Sequence, residues 1–211
     1  QVIGKKQKVI AKVGGTPFLS LLIRHSYRIG FRRIILALGF HSDAVKNLIE
    51  NLELPKDLEV VFSVESKPLG TAGAIKLALQ HVQSKQVFVQ NGDSFCDIDY
   101  QAMYCFHQQY SADVTIAVCQ VDHRDDAGIV QLDDSCNIIT FNEKNSFELG
   151  AYESSGIYIM SKDAIDKIPE HIKLSIEEDF FSKKLFQNFK GYVSMSRAVD
   201  IGTKERFELA Q

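Results

Sequence analysis

Apolar and polar positions in the first half of the chain follow the rhythm of strands separated by helices. Three stretches have the length and apolar content of strands: "FRRIILALG", "LEVVFSVE" and "KQVFVQNGD". Two others, "TPFLSLLIRHSYRIG" and "HSDAVKNLIENLEL", repeat apolar residues at helical spacing. Because strands joined through helices form crossover units, this half predicts a doubly wound α/β layout with a largely parallel sheet.

The second half is richer in strands that follow one another directly. After the helical segment "YQAMYCFHQQYSA" come "DVTIAVCQV", "AGIVQLDD", "CNIITFNEK" and "AYESSGIYIMS". We expect hairpins here that add antiparallel strands to one side of the sheet or form a small lid-like subsheet. The end of the chain predicts a helix in "SIEEDFFSKKLFQ", a strand in "KGYVSMSR" and a helix in "KERFELAQ".

Four apolar residues near the end recur at helical spacing: Phe180, Phe181, Leu185 and Phe186. Such a stripe predicts a helix face in the core, and a homodimer contact is the alternative. The chain shows no repeat, low-complexity tract or linker. We therefore predict a single domain over residues 1–211.

Composition narrows the class of partner. The 211 residues carry a formal net charge of −3, so no basic excess indicates a nucleic acid. The four cysteines form no C-x-x-C pair, which favours a reduced, cytoplasmic protein. Because no apolar run approaches about 20 residues, we expect no membrane span.

The segment "ESKPLGTAGAIKLALQ" places two glycines, Gly70 and Gly73, at the start of a predicted helix. A glycine in a helix costs about 0.5 to 1 kcal/mol relative to alanine, so both need an explanation. One explanation is a flat ligand such as a nucleobase, which would lie against bare backbone at a helix N-terminus. The other is close packing of the helix against the sheet.

Two aspartates are predicted at the carboxyl ends of strands, where open α/β sheets bind ligands. Asp93 ends "QVFVQNGD" and Asp200 lies in "AVDIGT". A small number of carboxylates suits Mg²⁺, which completes its shell with water and phosphate oxygens. The alternative is that each aspartate only caps the turn or helix that follows it.

Lysines supply a third candidate element. Lys8 and Lys144 stand among apolar or strand-forming neighbours, and a lysine ammonium is a common partner of phosphate. A solvated surface position is the alternative for each of them. Glu143 could accept hydrogen bonds from sugar hydroxyls, or it could pair with Lys144.

A collinear set of segments extends these observations over nearly the whole chain. Read in order, the segments "QKVIAKVGGTPFL", "PLGTAGAI", "VQNGDSFCDID", "AGIV", "FNEKN", "SSGIYIM", "SIEED" and "VDIGT" together resemble the sugar-1-phosphate nucleotidylyltransferases. Within that family, "NGDSFCDID" and "SIEEDFF" are most similar to the heptose-1-phosphate and mannose-1-phosphate guanylyltransferases. The resemblance implies a Rossmann-like three-layer sandwich with a mixed, mainly parallel sheet.

The resemblance also implies an activity: transfer of a nucleoside monophosphate from a triphosphate, with GTP favoured, to a sugar 1-phosphate. The products would be pyrophosphate and a nucleotide sugar for polysaccharide biosynthesis, and Mg²⁺ would be the cofactor. Carried over residue by residue, the resemblance implies three sets of positions. They are catalytic Lys8, Asp93 and Asp200, with the aspartates as metal ligands; nucleotide-binding Leu69, Gly70, Thr71 and Gly92; and substrate-binding Gly128, Glu143, Lys144 and Gly156.

The beginning of the chain departs from the family pattern. Family members open with a strand and a glycine-rich G-G-x-G-T-R-L loop for the triphosphate, which nothing here matches. We expect that loop to lie upstream of Gln1. Two other classes stay open: a non-catalytic nucleotide-sugar-binding homologue that has lost the loop, and a glycosyltransferase that uses Asp97-Ile98-Asp99 as its metal motif.

Overall fold

The computed structural model describes residues 2–3, 6–39, 42–121, 128–142, 150–183 and 185–211. The chain forms two compact units, each built from separate stretches of sequence. The first unit comprises Gln1–Pro68, Asn91–Phe95 and Val199–Gln211, and the second comprises Leu69–Gln90 and Cys96–Ala198. No helix in the described ranges is both long and apolar enough to cross a membrane.

The first unit combines short strand pairs with three helices, and β8 and β14 have most of their residues in it. Its elements are β1 (Val2–Ile3), β2 (Lys6–Gln7), a 3₁₀ turn (Lys8–Ile10), β3 (Lys12–Val13), β4 (Thr16–Pro17), α1 (Phe18–Arg28), β5 (Arg33–Leu38), α2 (Asp43–Glu50), β6 (Glu59–Val64), β8 (Ser94–Cys96), β14 (Ala198–Asp200) and α6 (Lys204–Leu209).

Two apolar clusters hold the first unit together. In one, Leu19 and Ile23 of α1 pack with Val45 and Ile49 of α2 over the parallel pair β5 and β6. In the other, Ile201 is fully buried among residues of α1 and α6. The second cluster fixes the position of the chain immediately after β14.

The second unit carries the larger sheet. Its elements are α3 (Gly70–Ala78), a 3₁₀ turn (Leu79–His81), β7 (Gln86–Gln90), α4 (Tyr100–Gln109), β9 (Val114–Gln120), β10 (Ile129–Leu132), β11 (Ile138–Asn142), β12 (Tyr152–Ser161), α5 (Lys162–Asp166), a π-helical segment (Ile176–Phe181) and β13 (Phe189–Val193).

Six strands form one sheet in the order β11-β10-β12-β9-β13, and β7 also pairs with β12. The ten-residue strand β12 pairs antiparallel with β10 through its first residues and with β7 through its last residues. Between them lies Gly156, whose φ of +75° bends the strand where its register with β9 shifts. This bend lets one strand serve both the hairpin β10–β11 and the central sheet.

The α/β class and the mixed sheet are confirmed, but the sheet has fewer parallel and more antiparallel pairs than we expected. The strands β5 and β6 pair in parallel, and in the described part of the larger sheet β9 with β13 is the one parallel pair, since its other pairs are antiparallel. The strands β7, β9 and β13 do share a direction, but β12 lies antiparallel between β7 and β9. Because β12 lies between β7 and β9, these two strands of the same direction are not paired with each other, and each pairs antiparallel with β12.

The core of the second unit includes three of the four residues of the predicted apolar stripe. Phe180, Phe181 and Phe186 are buried, whereas Leu185 is 55% exposed. Among the described residues of this segment, Ile176–Phe181 are helical, with π-type geometry, so the helix is shorter there than predicted. Burial confirms the core prediction for the three phenylalanines, and the homodimer stays a prediction.

Phe181 is central to this core. It is fully buried, and its ring centroid lies 5.4 Å from that of Phe141, 5.1 Å from that of Tyr158 and 5.1 Å from that of Phe189. We predict that Phe181→Ala lowers the free energy of unfolding by about 3 to 5 kcal/mol, since a buried ring is replaced by a cavity. The exposed Leu185→Ala is the control and should change it by less than about 1 kcal/mol. Urea unfolding measures both, and equal losses would contradict this assignment of the core.

Candidate functional site

The two predicted metal aspartates come together through strand pairing. Strand β8 begins directly after Asp93, and its partner β14 ends at Asp200. Beyond the pair, the N–H of Ile201 donates to the carbonyl oxygen of Asp93 at 2.9 Å. The structure therefore makes the main chains at Asp93 and Asp200 neighbours, although the residues are distant in sequence.

The carboxylate of Asp200 is held by groups on both sides of the turn that follows it. Its Oδ1 accepts from the N–H of Gly202 at 2.6 Å and lies 3.0 Å from Nε of Arg206. The side chains of Asp200 and Arg206 are only 11% and 19% exposed, so this ion pair is partly shielded from water. The carboxylate is thereby fixed in orientation.

Sequence reasoning did not identify Arg206. The arginine lies in the first turn of α6, which Thr203 caps by accepting from the N–H of Arg206 at 3.3 Å. In the sequence it stands in "KERFELAQ", which is typical of a solvated surface helix. The available signal was the cap: Thr203 marks a helix start three residues after Asp200, which places Arg206 in the first turn of that helix.

Lys8 joins the same cluster. Its Nζ donates to the carbonyl oxygen of Gly202, two residues after Asp200. The neighbouring Val9 lies against the other strand end, because a Cβ placed on Gly92 would come within 3.2 Å of its Cγ1. The first unit thus gathers four predicted site residues: Lys8, Gly92, Asp93 and Asp200.

The chemistry of this cluster can be compared with the needs of a metal ion. In the described part of the chain, no three His, Cys, Asp or Glu side chains are placed to share an ion. A structural zinc site needs four such ligands, whereas Mg²⁺ keeps several waters and takes one or two carboxylates plus substrate phosphates. A pair of carboxylates is a ligand set that suits Mg²⁺ better than structural zinc, and binding of Mg²⁺ by Asp93 and Asp200 stays a prediction.

The start of α3 is in the second unit, and the chain's own backbone occupies the space beside its glycines. A Cβ on Gly70, whose φ is +70°, would lie 2.4 Å from the carbonyl oxygen of Leu174. A Cβ on Gly73 would lie 2.9 Å from the carbonyl oxygen of Ile172. Close packing against this segment is sufficient to account for both glycines, and contact of a nucleobase with this backbone stays a prediction.

Other residues of the predicted nucleotide turn have defined environments. Leu69 is buried at 6% exposure, while Thr71 is exposed and its Oγ1 accepts from the N–H of Ile176 at 2.8 Å. In the first turn of a helix, the N–H groups have no intrahelical acceptor, and those of Gly70 and Thr71 belong to this set. Binding of a nucleotide at Leu69, Gly70 and Thr71 stays a prediction.

Two of the four predicted sugar-side residues lie in described parts of the second unit. The carbonyl oxygen of Gly128 accepts from the N–H of Ser154 at 2.8 Å, and Gly156 follows two residues later at the bend of β12. Glu143 and Lys144 lie outside the described residues. The structure therefore brings Gly128 close to the bend of β12. Sugar-phosphate binding by Glu143 and Lys144 stays a prediction.

The alternative metal motif Asp97-Ile98-Asp99 has a structural explanation. Oδ1 of Asp99 accepts from the N–H of Ala102 at 2.8 Å and caps α4. Ile98 is buried at 6% exposure. Asp99 thus has the capping role expected of an aspartate before a helix, and nothing in this geometry favours a glycosyltransferase.

Comparison with known proteins gives a consistent result. The family described as nucleotidyl transferase matches residues 4–210. The D-glycero-alpha-D-manno-heptose 1-phosphate guanylyltransferase of Aneurinibacillus thermoaerophilus is 29% identical over 211 residues, which is 100% of this chain and 90% of that protein. The mannose-1-phosphate guanyltransferase of Debaryomyces hansenii is 30% identical over 88% of this chain, which spans 54% of that protein.

A solved structure agrees with these relatives. HddC from Yersinia pseudotuberculosis, complexed with GMP-PN, superimposes with a TM-score of 0.84 at 31% identity. The match covers 99% of this chain and 90% of that chain.

The packing explanation for Gly70 predicts a measurable cost. Gly70→Ala should lower the free energy of unfolding by about 2 to 4 kcal/mol, since left-handed strain adds to a clash with Leu174. Gly15→Ala is the matched control, because φ there is +81° but a Cβ would meet no heavy atom of the described residues within 4 Å. It should cost only about 1 to 2 kcal/mol of strain. If urea unfolding gives equal losses for both variants, the contact with Leu174 is not the reason for the glycine.

Proposed function

The chain belongs to the nucleotidyl transferase family, and from that premise we propose that it transfers GMP from GTP to a heptose 1-phosphate. A mannose 1-phosphate is the alternative acceptor. Similarity to a heptose-1-phosphate guanylyltransferase over the whole chain supports the acceptor, and the GMP-PN complex of the structural neighbour supports the guanine nucleotide. The observation that carries the proposal is the meeting of Lys8, Asp93 and Asp200 in one cluster.

The proposed reaction needs no general base. An oxygen of the sugar 1-phosphate, already anionic at neutral pH, attacks the α-phosphorus of GTP and forms a new P–O bond. The bond from the α-phosphorus to the bridging oxygen breaks, and pyrophosphate leaves with the electron pair. Catalysis then depends on in-line positioning of the two phosphates and on neutralising their charge.

We assign Asp93 and Asp200 as the ligands of Mg²⁺. When bound, this ion supplies positive charge to phosphate oxygens on which negative charge accumulates. Arg206 and the N–H of Gly202 keep the Asp200 carboxylate oriented, so that it does not have to reorganise on binding. Lys8, whose Nζ donates to the carbonyl oxygen of Gly202, would supply a second positive charge near the turn that follows Asp200.

The remaining predicted residues would bind the substrates away from the reacting atoms. Leu69, Gly70, Thr71 and Gly92 would contact the nucleotide through the main chain. Gly128, Glu143, Lys144 and Gly156 would contact the sugar phosphate, as the resemblance implies.

The metal assignment predicts a selective loss of turnover. Asp93→Asn and Asp200→Asn should each reduce the rate of pyrophosphate release by roughly 100-fold or more, because each removes one negative ligand of the ion. Asp97→Asn is the control and should retain the wild-type rate, since this exposed aspartate belongs to the alternative motif and not to the proposed metal site. Turnover is measured with saturating Mg²⁺, and thermal unfolding shows whether each variant is folded. Full activity of either folded variant at Asp93 or Asp200 would contradict the assignment.

A substrate screen tests the proposed function directly. The full-length protein is incubated with each of five nucleoside triphosphates and with heptose or mannose 1-phosphate, and pyrophosphate is measured. We expect the highest rate with GTP and the heptose 1-phosphate. Release of a nucleoside diphosphate would instead indicate a glycosyltransferase, and nucleotide binding without turnover for any pair would indicate the non-catalytic homologue.

A further inference from the structure

The start of α3 has no side-chain cap of its own. Its N-cap is Leu69, which cannot accept a hydrogen bond through its side chain. A helix start leaves several N–H groups without intrahelical acceptors, and most helices satisfy some of them with a Ser, Thr, Asp or Asn at this position. Another part of the second unit supplies a hydrogen-bond acceptor for this helix start.

That part is the segment Ile172–Ile176. The carbonyl oxygen of Leu174 accepts from the N–H of Ala72 at 3.0 Å, and the N–H of Leu174 donates to the carbonyl oxygen of Leu69 at 2.9 Å. Through these two bonds Leu174 both accepts from and donates to the helix start, as a residue in a pair of β-strands does with its partner. The contacts that exclude a Cβ at Gly70 come from the same segment, and at Gly73 the carbonyl oxygen of Ile172 adds to a still closer contact with Leu69.

Thr71 adds a side-chain bond to this junction. Its Oγ1 accepts from the N–H of Ile176 at 2.8 Å, although the residue as a whole is exposed. One lone pair of the hydroxyl oxygen is therefore used within the chain itself. Since Thr71 lies between Gly70 and Ala72, this bond fixes the main chain that carries the proposed nucleobase contacts.

The C-terminal end of the segment is also held in place by the core and by the helical segment that follows it. Ile176 is 1% exposed in the core. Oγ of Ser175 accepts from the N–H of Glu178 at 3.2 Å, and the N–H of Ser175 donates to Asp179 at 2.9 Å, so Ser175 is bonded to the next helical segment in both directions. The buried Tyr158 donates through its hydroxyl to Glu177 at 2.7 Å.

We propose that Thr71 is a positioning residue for the guanine nucleotide: its hydroxyl clamps the start of α3 to the anchored segment Ile172–Ile176 and does not itself bind the base. This inference rests on the proposed nucleotide site at Leu69, Gly70 and Thr71. Ordering the turn before binding removes a conformational cost that the nucleotide would otherwise have to offset. The clamp therefore acts on affinity for GTP and leaves the chemical step unchanged.

The first experiment compares Thr71→Val, which keeps the shape and removes the acceptor, with Thr71→Ser, which keeps the hydroxyl. Thr71→Val should raise KM for GTP about 3- to 10-fold, the size expected for one hydrogen bond, while kcat and KM for the sugar 1-phosphate change less than about twofold. Thr71→Ser should restore KM for GTP. An unchanged KM for GTP in Thr71→Val would overturn the proposal.

Hydrogen exchange without nucleotide separates a clamp from a direct ligand. In Thr71→Val the amides of residues 172–176 should exchange faster than in the wild type, whereas loss of a side chain that only contacts the base would leave their exchange unchanged. This measurement needs no turnover. If the wild type neither binds GTP nor releases pyrophosphate, the proposed function fails, and exchange still decides whether the clamp exists.

A variant on the far side of the segment gives the matched control. Ser175→Ala removes the cap next to the clamp, and Ser161→Ala removes the equivalent cap of α5, where Oγ accepts from the N–H of Ala164 at 3.1 Å. Each should cost about 0.5 to 2 kcal/mol of stability. Only Ser175→Ala should also raise KM for GTP, by at least about twofold. Equal effects of both variants on KM would mean that general destabilisation, and not the segment, sets nucleotide affinity.

Discussion

The pairing of β8 with β14 is the interaction on which the proposed chemistry depends. It joins two short strands from distant parts of the sequence, and the bond from Ile201 to Asp93 continues the pairing past the strand ends. Ile201 is fully buried, so apolar packing fixes the junction and the polar side chains do not have to hold it. Strand pairing and the burial of Ile201 therefore account for the position of the two aspartates.

The contacts of the Asp200 carboxylate indicate that they orient this side chain more than they stabilise the fold. A partly buried ion pair is weak evidence for stability, because removing two charges from water costs much of what their attraction provides. The pair with Arg206 is better explained by orientation, since the N–H of Gly202 and the guanidinium both bind Oδ1. A carboxylate held in this way keeps one geometry while a highly charged substrate approaches.

Sequence patterns predicted the elements well and their contacts less well. Strands such as β5, β6 and β9 and helices such as α1 and α4 lie where periodicity placed them, since local spacing determines which face is buried. Asp93 and Asp200 were expected at strand ends, and their main chains are neighbours, whereas their shared role as metal ligands stays a prediction. By contrast, the role of Arg206, the insertion of β12 between β7 and β9, and the approach of Leu174 to Gly70 all arise from non-local contacts that leave no periodic signal.

The glycines of α3 show how a structural explanation can still serve function. Their missing side chains admit Leu174 and Ile172, so the close approach is a matter of packing. Yet the same approach brings a core-anchored segment against the first turn of a helix, where N–H groups still need acceptors. A turn held in this way presents its donors in one arrangement, and rigid presentation of main-chain donors is what a flat, polar-edged base requires. Packing at Gly70 and the proposed recognition beside it would therefore be parts of one arrangement.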